Sequence, residues 1–425
     1  MGMQSIPAEF TILIGLSLSL ATGCKTGASA LDISDSTMQS EEGPIGAPSS
    51  PPPAFVEFCE KYPTHTPGER IFYEGMIIGS SSESEFDLGQ QRCSLLWSKL
   101  LVRPVVQPRA SVDDVSPIKA LIGLPNLTLS LVLSKMPRNF RLLAELDLIG
   151  VLVHGKSDGT LTISDTDRKD ILATIANAPR LEKIELVHLG LRDLSPLTGL
   201  KRVKILYISD NDIAKLEFLR DWQNLQKLNA RENQIEDLTP LENLLQLTDL
   251  SLSKNSVKLI DALMSLANLK SIDLSGNLNL TNLLAIQYLP NLTTLSLADT
   301  GIKNIEPLRG LQLTTLDLSN DPVDSIDVLR TVPLTKLSLH NTKVQDIGPI
   351  ASLTTLKMLD VSSSPVRSLP ILPPDHSLWK LTIKDTQITN LCPATQYPML
   401  EHLMLPDGRY LNRNAIEAFG TQCLQ

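Results

Sequence analysis

Side chains able to do chemistry are scattered along this chain. Its 425 residues include six histidines and five cysteines. General acid–base or metal chemistry needs two or three ligating groups within reach of one atom, which short fixed spacings announce. The chain has no HExxH, no phosphate-binding GxxxxGK[ST], no GxSxG elbow and no GxGxxG after a strand-like run. His188, His340 and His402 fall near one expected surface, but too far apart to act as a trio, and read as solvated groups. Thr166-Asp167-Arg168-Lys169-Asp170 clusters carboxylates without the glycine and terminal Glu of a calcium loop. It reads as a helix start, with acidic residues at the positive end of the dipole. The expectation is no catalytic residue, no metal and no cofactor. A net charge of −9 and 4 % aromatic residues argue against nucleic acid as a partner.

The chemistry left is that of a surface, and a repeat orders it. LEKIELVHLGLRDLSPLTGLKR, from Leu181, aligns with LQKLNARENQIEDLTPLENLLQ, from Leu225. A sustained period near 22 residues means one unit stacked many times. In each unit x-Leu-x-Leu-x alternates as a short strand does, with Leu228/Ala230, Leu250/Leu252 and Leu316/Leu318 as inward pairs. The other half is DLSPL at Asp193, DLTPL at Asp237, NIEPL at Asn304 and DIGPI at Asp346. Its apolar spacing of three suits a 3₁₀ or short helical return, with Pro in the first turn. Between the halves stand Asn211, Asn233, Asn255 and Asn277, then Thr300, Asp321, Thr342, Ser364 and Thr386. A buried amide there can satisfy backbone groups on both sides.

Residues pointing away from the core then form columns about 4.8 Å apart from strand to strand. One column runs from Glu185 and Tyr207 to Thr382 and Met404; the next includes Ser209, Arg231, His340 and Lys384. Both are mostly small and polar. Because binding hot spots favour Trp, Tyr and Arg, the best candidate patch is Ile205, Tyr207, Asn229 and Arg231. An acidic line through Asp273, Asp317 and Asp360 suits a basic partner, or only keeps the sheet soluble.

This pattern resembles the leucine-rich repeat, and the DLxPL return resembles the 22-residue class of bacterial internalin-type proteins. The resemblance covers roughly half the chain, from Leu181 to about Leu405, with an insertion after Asn277 and one unit a residue short near Gln312. It implies an α/β fold, a right-handed solenoid with a parallel concave β-sheet and a 3₁₀ or short-helix convex side. Weaker copies lie upstream: DVSPIKAL at Asp114, and the pairs Leu127/Leu129, Leu146/Leu148 and Leu161/Ile163.

Apart from Cys24, the cysteines are Cys59, Cys93, Cys392 and Cys423, one pair on each side of the repeats. About ten strand spacings put the ends of the solenoid roughly 50 Å apart. Disulfides need Cα atoms within about 7 Å. Cys59–Cys93 and Cys392–Cys423 are therefore expected, stapling end caps that include helices at residues 91–101 and 412–419.

Residues 10–22 form an apolar run too short for a confident membrane span. Leu20-Ala21-Thr22-Gly23-Cys24 resembles a bacterial lipoprotein signal, which implies lipidation at Cys24. Ala21 and the acidic Glu9 depart from that pattern, and Lys25 leans by resemblance toward the outer membrane. The expected domains are a signal peptide (1–23), a lipid-anchored disordered linker (24–54), an N-terminal cap (55–112), divergent repeats (113–180), regular repeats (181–405) and a C-terminal cap (406–425). The functional expectation is a non-enzymatic protein-binding or scaffolding lipoprotein of the bacterial envelope, periplasmic or surface-exposed. It meets the membrane only through its lipid and its partner through the concave face. The alternatives are a structural envelope protein without a specific ligand and an intracellular regulator of an enzyme.

Overall fold

The computed structural model describes residues 51, 53–60, 105–106, 114–122, 124–158, 160–280 and 282–423. The expected signal peptide, residues 24–50 and 52 of the expected linker (Cys24 among them), Cys93 and the helix at 91–101 lie outside the described residues, whereas Pro53 and Ala54, expected in the disordered linker, already open a helix. The fold below belongs to the unit Gly43–Gln425.

Among the described residues one sheet carries fifteen strands in chain order. It begins with β1 (Val105–Val106), β2 (Leu127–Leu133), β3 (Leu148–Gly155) and β4 (Lys183–Val187). The strands β5 (Ile205–Tyr207), β6 (Lys227–Asn229), β7 (Asp249–Ser251), β8 (Ser271–Asp273) and β9 (Thr294–Ser296) are three residues each. So are β10 (Thr315–Asp317), β11 (Lys336–Ser338), β12 (Met358–Asp360), β13 (Lys380–Thr382) and β14 (His402–Met404). All of these pair in parallel, and only the last strand, β15 (Tyr410–Asn412), runs antiparallel to its neighbour. A parallel neighbour requires a return connection, and 3₁₀ turns such as Ser195–Leu197, Thr239–Leu241 and Glu306–Leu308 supply it. The leucine-rich-repeat solenoid expected from the pattern is therefore the observed fold.

Three local devices repeat along it. The middle residue of each strand from β5 to β14 is buried, as with Leu228, Leu250 and Leu316, and belongs to one continuous apolar core. After each strand from β4 to β13 the chain turns through a left-handed residue. His188, Asp210, Glu232, Lys254, Asp299, Asn320, Asn341, Ser363 and Asp385 have φ from 52° to 61°, and Gly276 takes the same place. The next residue is the ladder position. Asn277 Oδ1 accepts from Val257 N at 2.9 Å, while its Nδ2 donates to the Leu252 and Leu274 carbonyls at 3.0 and 2.7 Å. Asn211, Asn233 and Asn255 are bonded in the same way. Thr342 Oγ1 donates to the Leu339 carbonyl.

The Asp or Asn that opens each return has its own task. Asp193, Asp237, Asn304 and Asp346 each accept, through Oδ1, the N–H two residues on. Such a turn pre-sets the chain for the 3₁₀ bend. Asp321 departs from the ladder chemistry. It is 1 % exposed, and its Oδ1 accepts from Thr300 N, Gly301 N and Thr300 Oγ1 at 3.0, 2.6 and 3.1 Å. Burial raises its pKa to about 7, although those hydrogen bonds pull the other way.

The upstream region differs from expectation in phase. Leu129 and Leu131 pair with Val151 and Val153, which pair with Ile184 and Leu186. The pairs in phase with the downstream strands are thus Leu129/Leu131 and Val151/Val153, while the expected pair Leu127/Leu129 does lie in β2 with both side chains fully buried. Leu146/Leu148 is no such pair, because Leu146 precedes β3 and a register shift at Leu127/Thr128 displaces the alignment. Leu161/Ile163 forms no strand; Thr162 makes only an isolated bridge with Lys135. The chain there is about to enter α2 (Asp165–Ala176), the second described helix after α1 (Pro53–Glu60). Ser164 caps α2 in a capping box with Asp167, so the acidic run is a helix start, one residue earlier than read. Gly155 ends β3 where a Cβ would lie 1.9 Å from the His188 carbonyl oxygen.

At the N-terminal end α1 packs on the 3₁₀ turn Ser116–Leu121, with Phe55 and Cys59 fully buried. At the other end α3 (Arg413–Cys423) is longer than the expected 412–419 and packs on the turn Cys392–Gln396. The Cys423 side chain lies outside the described residues.

Candidate binding surface

The strand register fixes which exposed side chains are neighbours. Glu185, Tyr207, Asn229, Ser251 and Asp273 pair in succession. The same column continues through Ser296, Asp317, Ser338, Asp360, Thr382 and Met404. Its first members are not open. Ser130, Leu152 and Glu185 are buried, at 5, 4 and 8 % exposure. Burial pushes the Glu185 pKa up, but hydrogen bonds from His154 Nε2 and Lys183 Nζ, both at 3.0 Å, outweigh it and hold the carboxylate below its usual range. The accessible face therefore begins at β5.

Ile205, Tyr207, Asn229 and Arg231 do come together there. Ile205 and Tyr207 share one face of β5, and Tyr207 pairs with Asn229. Lys183 Nζ lies 5.9 Å from the Tyr207 ring centre. Arg231 is less available than its type suggested. Its guanidinium bonds Glu232 at 2.8 Å, and Lys254 reaches the same carboxylate at 2.5 Å. The Lys254 and Arg231 hydrogen bonds hold Glu232 below the ordinary carboxylate range.

The acidic line is held by its own strands. Asp273, Asp317 and Asp360 each accept, through Oδ1, both the N–H and the hydroxyl of the serine two residues on, at 2.5–3.1 Å. Ser275 and Ser319 then meet Ser296 and Ser338 at 2.6 and 2.7 Å. His340 Nδ1 lies 2.9 Å from Ser362 Oγ in the same network. These side chains lace strand to strand, which gives the Asp-x-Ser spacing that recurs along the chain a structural cause. The three histidines separate as expected. His188 sits in a left-handed turn bonded to Asp210, while His340 and His402 lie on different coils.

Sequence reading missed a second cluster, at the C-terminal end. Trp379 precedes β13, and its Nε1 donates to Glu401 Oε2 at 2.7 Å. Its ring stands edge-on to His402 at 4.4 Å between centres. His402 stacks on Tyr410 at 5.8 Å, and its Nδ1 is hydrogen-bonded to the Tyr410 hydroxyl. Trp379 lies three positions before Thr382, outside both polar columns, and Tyr410 sits on the antiparallel strand that the repeat does not announce. Elsewhere, the insertion after Asn277 opens a shallow groove beside Leu278, Leu284 and Lys303. Among the described residues no group of three or more His, Cys, Asp or Glu side chains is placed to hold a metal ion. Nor is any described helix long and apolar enough to cross a membrane.

No protein-family model matches the chain, and neither does any curated protein. Solved structures do. An internalin of Listeria monocytogenes superposes with a TM-score of 0.57 at 18 % identity, over 80 % of this chain and 92 % of its own. Internalin C2 of the same species is 30 % identical over 44 % of this chain and 74 % of its own, with a TM-score of 0.36. A leucine-rich-repeat protein of Leptospira interrogans is 19 % identical over 69 % of this chain and 87 % of its own, with a TM-score of 0.44. The first of these likenesses bears on the fold, and at that identity on the fold alone.

Proposed function

We propose that this leucine-rich-repeat chain is a non-enzymatic protein-binding scaffold of the bacterial cell envelope, held there as a lipoprotein through Cys24. The observation that carries the binding half is the open, ordered face from β5 to β14, where half-exposed polar columns stand in unbroken register. Such a face offers a partner many weak contacts on a rigid frame, with a few aromatic anchors contributing most of the affinity. Within it, Tyr207, Ile205 and Asn229 form one contact patch, with Arg231 shared with Glu232. The line Asp273, Asp317 and Asp360 is assigned to holding the sheet, because its carboxylates are already bonded to Ser275, Ser319 and Ser362.

The envelope half rests on the lipoprotein-like signal and on the cysteines. Cys59 and Cys392 are both disulfide-bonded. They belong to opposite ends of a fifteen-stranded sheet, more than 50 Å apart at about 4.8 Å per strand, so they do not bond each other. We assign Cys59–Cys93 and Cys392–Cys423, which closes the ends of the core and favours an oxidising compartment. Mass spectrometry of the mature protein tests this half: a diacylated or triacylated Cys24 and those two linked peptides are expected, and an unmodified N-terminus with free thiols would overturn it. Crosslinked recovery of a partner from envelope extract tests the other half. Tyr207→Ala should reduce recovery, and a catalytic turnover retained without any partner would refute the scaffold reading.

A further inference from the structure

The concave face changes character at its C-terminal end. From β6 to β11 its outward residues are mainly Ser, Thr, Asp and Asn. At β12–β15, Met358, His402, Met404 and Tyr410, with Trp379 just before β13, join the polar Asp360, Lys380, Thr382 and Asn412. Met358, Lys380 and His402 lie in one register column, and Met404 pairs with Tyr410. Trp379 is 39 % and Tyr410 51 % exposed. Trp, Tyr and Met are the side chains enriched at the centres of protein interfaces, because they offer large contact area and adaptable apolar surface. The rings are also pre-organised. Trp379 is tied to Glu401 and set against His402, which in turn holds Tyr410, so little freedom is lost when a partner settles on them.

A cationic row borders this corner. Lys336 and Lys380 belong to the same register column as Met358 and His402, and Lys357 and Trp379 immediately precede β12 and β13. Neither Lys336, Lys357 nor Lys380 makes an ion pair with any other described residue, whereas Lys183, Lys204 and Lys254 at the earlier strands all do. Ammonium groups left unpaired beside an exposed aromatic cluster complement carboxylates carried by whatever covers it.

We propose that this corner anchors an acidic polypeptide: an apolar side chain of the partner seats against Trp379, His402 and Tyr410, and flanking carboxylates meet Lys336, Lys357 and Lys380. The methionines favour a polypeptide over a saccharide, since a sugar gains its affinity from ring stacking and hydroxyl hydrogen bonds and has no use for a thioether rim. The assignment rests on the concave-face reading above and narrows it to one end and one partner chemistry.

The test uses the full chain, a displayed library of random linear peptides and an array of soluble glycans. Selected peptides should be rich in Asp and Glu around an aromatic or aliphatic residue. Their affinity should fall at least tenfold with Trp379→Ala and with the triple variant Lys336→Glu, Lys357→Glu, Lys380→Glu, and it should weaken as salt rises. Trp379→Phe should keep most of the binding, which separates a lost anchor from a damaged fold. Peptides that ignore both corner variants but are lost with Tyr207→Ala would overturn the corner and leave the concave-face reading standing. Binding of glycans instead of peptides, or of peptides without acidic residues, would overturn the proposed chemistry. Retention of nothing by the folded chain would overturn both.

Discussion

Replacing Asp321 by Asn should stabilise the protein above neutral pH and do little in acid. The ladder needs a side chain that accepts from one coil and donates to the carbonyls of two. Asn277 does both, whereas an ionised Asp321 can only accept. By position in the repeat, the Leu297 and Leu318 carbonyls correspond to those of Leu252 and Leu274 around Asn277. Protonated, the carboxyl can donate to one of them, as the Thr342 hydroxyl does to Leu339. That is the physical content of a pKa raised by burial from 3.8 to about 7. The folded state then holds a proton that the unfolded chain has already released, so stability falls as pH rises from about 4 to about 7 and is level above. A rise of roughly three units corresponds to about 4 kcal/mol as an upper bound, and relaxation of the site should leave about 2–3 kcal/mol. The assay is the urea midpoint of the natural protein and of Asp321→Asn at pH 4.5 and pH 8. The quantity of interest is the difference between the two proteins at each pH, which cancels every other titrating group. A gain at pH 8 several-fold larger than at pH 4.5 is expected. An equal effect at both values, or a loss at pH 8, would refute the reasoning.

Asn277→Ala should cost about 2–4 kcal/mol in the same denaturation assay, because it strands the Val257 N–H and two carbonyls in a dry interior. Ser164→Ala should cost about 1 kcal/mol by removing the capping box of α2, with a loss of hydrogen-exchange protection confined to its first turn. His376 is fully buried, with Nε2 bonded to the Ile350 carbonyl and Nδ1 accepting from Leu378 N, and burial depresses its pKa. Its contribution is complete above about pH 6.5 and is lost as pH falls through the lower folded-state value. The acid side of the stability profile should therefore flatten in His376→Gln, and an unchanged slope would count against this histidine as its source.

The repeat was legible because each of its parts answers one local demand. Leucines at strand centres show which face is inside. The Asn at the ladder shows where backbone groups need an amide, and Pro marks the return. What stayed hidden was set by contacts across coils. The phase of β2 and β3 depends on a register shift at Leu127/Thr128, and the sequence there offers several equivalent apolar pairs. The left-handed residue before the ladder escaped notice because His, Asp, Glu, Lys, Asn and Ser all occupy it. Backbone geometry is shared at that position, and side-chain type is not.

The candidate surface shows the same division more sharply. Column membership follows from period alone, so Tyr207 and Asn229 could be named as neighbours. Availability does not follow from period. Arg231 is drawn to Glu232, Asp317 is bound to Ser319, and Glu185 is buried under its pairing with His154 and Lys183. An exposed charge on a repeat is therefore weak evidence for a contact until its partners on the adjacent coils are known. Aromatic rings are more dependable, since a polar neighbour does not consume their apolar area. By that argument Trp379 and Tyr410, outside the columns that the period singles out, carry more of the case for binding than the acidic line that lies within them.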